Sequence, residues 1–163
     1  EIGVLNMNLD GSDKLSLNLI QENGRISNLE LADKIGLSAS PCSRRVNHLE
    51  ELGLIDKHVT LLNQAKLGLK LTAYIHISMD RHTPERFDNF ETEIAAIPDV
   101  MECCIITGSD ADFQLKVIVP DMEHYQELLL GKLTGIKGVT GVRSSFMLRN
   151  VLSRTVLPLD HIK

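Results

Sequence analysis

GRISNLELADKIGLSASPCSRRVNHLEELGLI, residues 24–55, holds two apolar periodicities separated by a break. Leu29, Leu31, Ala32 and Ile35 recur at helical spacing, Gly36-Leu37-Ser38 interrupts, and Cys42, Val46 and Leu49 then share one helical face. Two short helices joined by a tight turn follow from this spacing. Small Ala32 admits close approach of the second helix, and Gly36 can take the left-handed backbone that the turn needs. Ser38 or Ser40 can cap the helix that begins near Pro41. The pattern is that of a helix-turn-helix.

Away from the Cys42, Val46 and Leu49 face, the second helix presents Ser40, Arg44, Asn47 and His48, with Ser43 at the flank. Arginine can bond guanine edges or phosphates, asparagine can bond adenine, and serine can reach either. Arg45 lies nearer the buried edge, where a structural ion pair or a phosphate contact fits as well as base reading. The candidate DNA-contacting set is therefore Ser38, Ser40, Ser43, Arg44, Arg45, Asn47 and His48. On periodicity alone the same face also fits an ordinary solvated surface. Net charge is −5 over 163 residues, opposite to the bulk signature of a non-specific nucleic-acid binder, so contact with DNA must be local. One such helix binds weakly, which predicts a symmetric dimer reading a roughly palindromic duplex.

Upstream, Asp10 or Ser12 can cap a supporting helix carrying Leu15, Leu17, Leu19 and Ile20, its apolar face diluted by Ser12 and Ser16. Downstream, Gly53 ends the helical pattern, and residues 54–61 read as a strand, either a short wing or an exchanged strand. From residue 69 the period becomes two: Leu71, Ala73, Ile75, Ile77 and Met79 alternate with polar residues. A helix follows from Thr83-Pro84, then strands at 100–107 and around 113–119 separated by the GSDAD loop, a second helix from Pro120-Asp121, and a last strand over Val142, Ser144, Phe146 and Leu148. Strand, helix, strand, strand, helix, strand is the ferredoxin-like βαββαβ order, with one sheet face and the edges left open for self-association. The fold class is α+β: a winged helix-turn-helix domain over residues 7–60, a linker over 61–68, and an αβ-sandwich domain over 69–157.

Aliphatic cores are implied by a hydrophobic fraction of 43% with aromatics at only 4% and no tryptophan, which also argues against stacking platforms for single strands. Cys42, Cys103 and Cys104 cannot pair evenly, and a reducing cytoplasm is the simpler setting. No apolar run approaches membrane length, and Met7 is a candidate native start. The six histidines lack metal-ligand spacing, and neither a phosphate loop nor a nucleophile elbow is present, so no catalytic residue, metal or cofactor is assigned.

The segments LDGSD, the 24–55 stretch, PDVMECCIITG, DFQLKVIVPDMEHY and GVTGVRSSFML, in this order and spacing, resemble the Lrp/AsnC family of feast/famine transcription regulators over nearly the whole chain. That resemblance implies an amino-terminal DNA-binding domain and a carboxy-terminal domain that dimerises, often assembles to octamers, and commonly senses a small amino acid. It places the effector between dimers, at Thr107, Gly108, Ser109, Asp110, Ala111 and Asp112, with Ser144 and Ser145 as contributors. The chemistry fits: carboxylates or carbonyls suit an ammonium, and backbone N–H groups or hydroxyls suit a carboxylate. Taken as an isolated string, Asp110-Ala111-Asp112 also reads as a plain polar turn. Two rivals remain open at this point. One is an architectural protein that wraps DNA with little sequence selectivity; the other is an enzyme similar to the sirohaem decarboxylases, which resemble this family in both domains.

Overall fold

A computed structural model describes residues 9–108 and 110–162, so Met7 and Ser109 lie outside the described residues. The chain forms two compact units: one takes the residues up to 61 together with those from 152 onward, the other is Leu62–Val151. Residues 152–157, which follow the last strand of the αβ sandwich in the sequence pattern, make their contacts within the amino-terminal unit.

In the first unit, α1 (Gly11–Glu22) starts where two aspartates cap each other. The Asp10 carboxylate accepts from the Asp13 N–H at 2.8 Å, and the Asp13 carboxylate accepts from the Asp10 N–H at 2.9 Å. Two donors that a helix start leaves orphaned are thereby satisfied. Ser27 and Glu30 repeat the device at α2 (Asn28–Ile35), which ends on Gly36 at φ +69°. Leu37 N–H then reaches back to the Ala32 carbonyl at 2.9 Å, closing the turn into α3 (Ala39–Glu51). Ser38 is the residue before α3, but its side chain makes no capping bond. Ile20, Leu31, Ala32 and Cys42 form the core, joined by Leu19, Ile26, Ile35, Val46 and Ile55 at its margin. Ser16 is fully buried in α1, and its hydroxyl donates to the Ser12 carbonyl at 2.7 Å, so the polar group enters the interior with its bond made.

Two expectations need correction in this unit. Leu29 does not join the core; it is 72% exposed on α2. Residues 55–63 carry no regular secondary structure, so the strand expected over 54–61 is not formed. A strand exists by pairing, and the sheet of this chain is composed of other segments.

The second unit runs β1 (Leu71–Met79), α4 (Pro84–Ala95), β2 (Val100–Ile105), β3 (Phe113–Val119), α5 (Met122–Gly131), a 3₁₀ turn (Leu133–Gly135) and β4 (Val139–Phe146). The sheet order is β2-β3-β1-β4, antiparallel throughout, as a split βαβ pattern demands. Register puts Ala73, Ile75 and Ile77 beside Val117, Leu115 and Phe113, all buried beneath Phe90 and Ile94 of α4 and Tyr125 and Leu128 of α5. Alternation sends Tyr74, His76, Gln114, Lys116, Arg143 and Ser145 to the opposite face, which no helix of this unit covers.

Candidate recognition helix and ligand loop

Burial fixes which side of α3 is available. Cys42 and Leu49 are fully buried, while Ser40, Ser43, Arg44, Asn47 and His48 are exposed and lie away from them. The exposed set brings hydroxyl, guanidinium, amide and imidazole groups together on one side of a helix, a mixture suited to groove edges and phosphates. Ser38 is also exposed, at the amino end of the helix.

Arg45 is held differently. Its Nη1 lies 2.8 Å from Asp10 Oδ1 and 2.5 Å from Asp13 Oδ1, so the guanidinium binds α3 to the cap of α1. The Asp13 carboxylate, then Asp10, holds Arg45 still more firmly protonated. Asp10 sits below the usual carboxylate range, chiefly because the Asp13 N–H donates to it, with Arg45 adding to the effect. Of the three readings available from sequence, the geometry matches the structural ion pair.

The β2–β3 loop is pinned to the end of β1. Asp112 N–H donates to the Ile77 carbonyl at 2.8 Å, and Ser78 Oγ donates to the Asp110 carbonyl at 2.9 Å. Both carboxylate oxygens of Asp112 are occupied, one by Met79 N–H at 2.7 Å and the other by His82 Nε2 at 2.7 Å. Ala111 is buried. Thr107, Gly108 and Asp110 remain exposed, with Gly108 at φ +85°. Ser109 lies outside the described residues. The last strand separates its two serines. Ser144 faces the helices and bonds the Tyr125 hydroxyl, whereas Ser145 pairs with Tyr74 on the open face. Closer to the loop are Ser78, His82 and Thr140, whose hydroxyl donates to the Ser78 carbonyl at 3.1 Å. Strand periodicity marks Ser78 only as a polar-face residue, and the register shift at Ser78/Met79 brings Thr140 beside it.

Cys103 and Ile105 share the helix side of β2 with Leu115 and Phe113, and Cys103 lines a shallow cleft of about 360 Å³ against Glu91 and Ile94. Partial burial against the helix side pushes its thiol up to about 11. Among the described residues no group of histidine, cysteine or carboxylate side chains is arranged to hold a metal, and no helix is long and apolar enough to cross a membrane.

A helix-turn-helix whose second helix keeps a polar side in solvent, followed by a ferredoxin-like sheet unit, defines a class of two-part regulators. Residues 9–56 match the family model described as winged helix-turn-helix DNA-binding, and residues 72–157 match the Lrp/AsnC ligand binding domain. The chain belongs to the Lrp/AsnC family of transcriptional regulators. It is 38% identical over 151 residues to the Bkd operon transcriptional regulator of Pseudomonas aeruginosa, covering 93% of this chain and 98% of that protein. Identity is also 38% over 143 residues to the leucine-responsive regulatory protein of Escherichia coli, covering 88% and 87%. A transcriptional regulator of Neisseria meningitidis, solved as its L-Met complex, superposes with a TM-score of 0.91 at 34% identity over 95% of this chain and 99% of that one. An AsnC family regulator of Agrobacterium tumefaciens gives 0.88 at 32% identity over 95% and 100%.

Proposed function

We propose that the chain works as a homodimer, assembling to octamers, that reads palindromic duplex DNA through α3 and changes its assembly or affinity when a small amino acid binds between dimers. It acts by binding, not by catalysis. The observation that carries the DNA-reading half is the sorting of α3: the apolar side is fully buried, Arg45 is drawn into the scaffold, and Ser40, Ser43, Arg44, Asn47 and His48 stay in solvent. Supporting the amino-acid half, the Neisseria relative was solved with L-Met, and the exposed part of the loop offers the Thr107 hydroxyl, the Gly108 backbone and the Asp110 carboxylate. Asp110 is the stronger candidate for the ammonium, because Asp112 already accepts from Met79 and His82. Ser144, turned towards Tyr125, fits a supporting position better than direct contact.

Self-association is supported by the sheet face that no helix covers and by apolar side chains in solvent, among them Leu148 and Leu61 at 99% and 71% exposed. An allosteric response needs a ligand that favours one assembly over another, and a site between dimers meets that condition. Thermal melting of the purified protein with each of the twenty amino acids tests the effector reading. One or a few should raise the midpoint, a ligand at about 100 times its Kd adding about 2.7 kcal/mol. No shift with any of them would remove amino-acid sensing from the account.

A further inference from the structure

The carboxy-terminal segment returns to the DNA-binding unit, and its contacts are specific. Gln21 of α1 meets the Leu157 backbone with both ends of its amide: Nε2 donates to the Leu157 carbonyl at 2.9 Å, and Oε1 accepts from the Leu157 N–H at 2.8 Å. The same Nε2 donates to Asn18 Oδ1 at 3.1 Å, which fixes the orientation of the amide. One turn and more towards the amino end, Lys14 Nζ donates to the Ile162 carbonyl. Lys14, Asn18 and Gln21 stand at i, i+4 and i+7, so one stripe of α1 holds two points of the segment. Leu159 and Ile162 are half-buried, and Ile162 N–H closes a turn onto the Leu159 carbonyl at 3.1 Å. Leu148, Val151 and Leu152, just upstream, are 99%, 81% and 66% exposed. Docking is thus confined to the last stretch, where the amide of Gln21 takes the role that a neighbouring strand's backbone would play.

We propose that residues 157–162 form a clasp on α1 within the DNA-binding unit, and that the clasp supports the recognition helix through α1. The chain leaves that unit at residue 61 and returns to it at residue 152, and holding the returning segment on α1 removes conformational freedom that an undocked segment would keep. On α1, Lys14 adjoins Asp13, whose carboxylate holds Arg45 of α3. The clasp and the recognition helix therefore share one support. With the clasp released, a bound complex pays more to place its second recognition helix, so affinity for a duplex with two half-sites falls while affinity for a single half-site does not.

The consequence for DNA rests on the DNA-reading function proposed above; the docking itself does not. The test uses the full chain, Gln21→Ala and a chain ending at Val151. Hydrogen exchange of residues 155–162 should be at least tenfold faster in Gln21→Ala than in the wild type. Two-half-site affinity should fall about fivefold or more in both variants, with half-site affinity unchanged. Exchange in the wild type as fast as in a free peptide of the same sequence, or unaltered by Gln21→Ala, would overturn the clasp. Faster exchange with unaltered two-half-site affinity would overturn its support of the recognition helix. A wild type that binds no duplex would count against the DNA-reading function, and the exchange rates would still decide the docking.

Discussion

Arg44 and Arg45 are separated by about 100° of helix rotation, which leaves the first in solvent and lays the second against Asp10 and Asp13. Their substitutions should separate accordingly. Arg45→Ala should lower the melting midpoint by a few degrees, because it unties α1 from α3. Arg44→Ala should leave the melting curve in place and weaken duplex binding. A titrating pair offers a second check at this scale. The Asp121 carboxylate accepts from His124 Nδ1 at 2.9 Å and raises the imidazole above its ordinary value. A raised folded-state value means that the pair stabilises fully below the unfolded value of about 6.5 and that this contribution is lost as pH rises through the folded one. Proton NMR of the His124 ring should show the higher value, and Asp121→Asn should bring it down; no change would mean the pair is not formed in solution.

Glycine positions test how the elements are joined. Gly36 turns α2 into α3 at φ +69° with open space where a Cβ would go, so Gly36→Ala should cost about 1 kcal/mol from backbone conformation alone. Gly138, at φ +96°, would set a Cβ 2.9 Å from Asp80 Oδ1 and 3.0 Å from Arg86 Cδ, inside the ion pair before β4. Gly138→Ala should therefore cost more than Gly36→Ala in denaturant unfolding, and equal costs would contradict the packing described there. In the sheet, Leu115→Ala should cost about 2–5 kcal/mol, since Leu115 is fully buried at the centre of β3. Helices and strands were legible from sequence wherever a period ran long enough, as in 71–79 and 113–119. Residues 54–61 misled because β-branched composition describes a willing strand, while pairing depends on a neighbour that sequence does not show. The β2–β3 loop was readable only as a break between two strands. That Asp112 is committed to Met79 and His82, and that Ser144 and Ser145 diverge, emerges from cross-strand register.

At the scale of the molecule, an anionic chain is asked to hold a polyanion, and the local face of α3 must be multiplied to do so. In the assembly proposed above, the open sheet face joins the copies. Tyr74→Asp, placed among Lys116 and Ser145 on that face, should shift sedimentation towards the monomer without loss of the folded core. An unchanged assembly would move the interface elsewhere. Everything else depends on the exposed side of α3 meeting DNA. Fluorescence anisotropy at fixed salt, with a duplex selected from a random pool, compares wild type with Arg44→Ala/Asn47→Ala at matched melting midpoints. Groove contacts are worth about 1–3 kcal/mol each, so the double variant should bind at least tenfold more weakly; equal affinity would contradict the account.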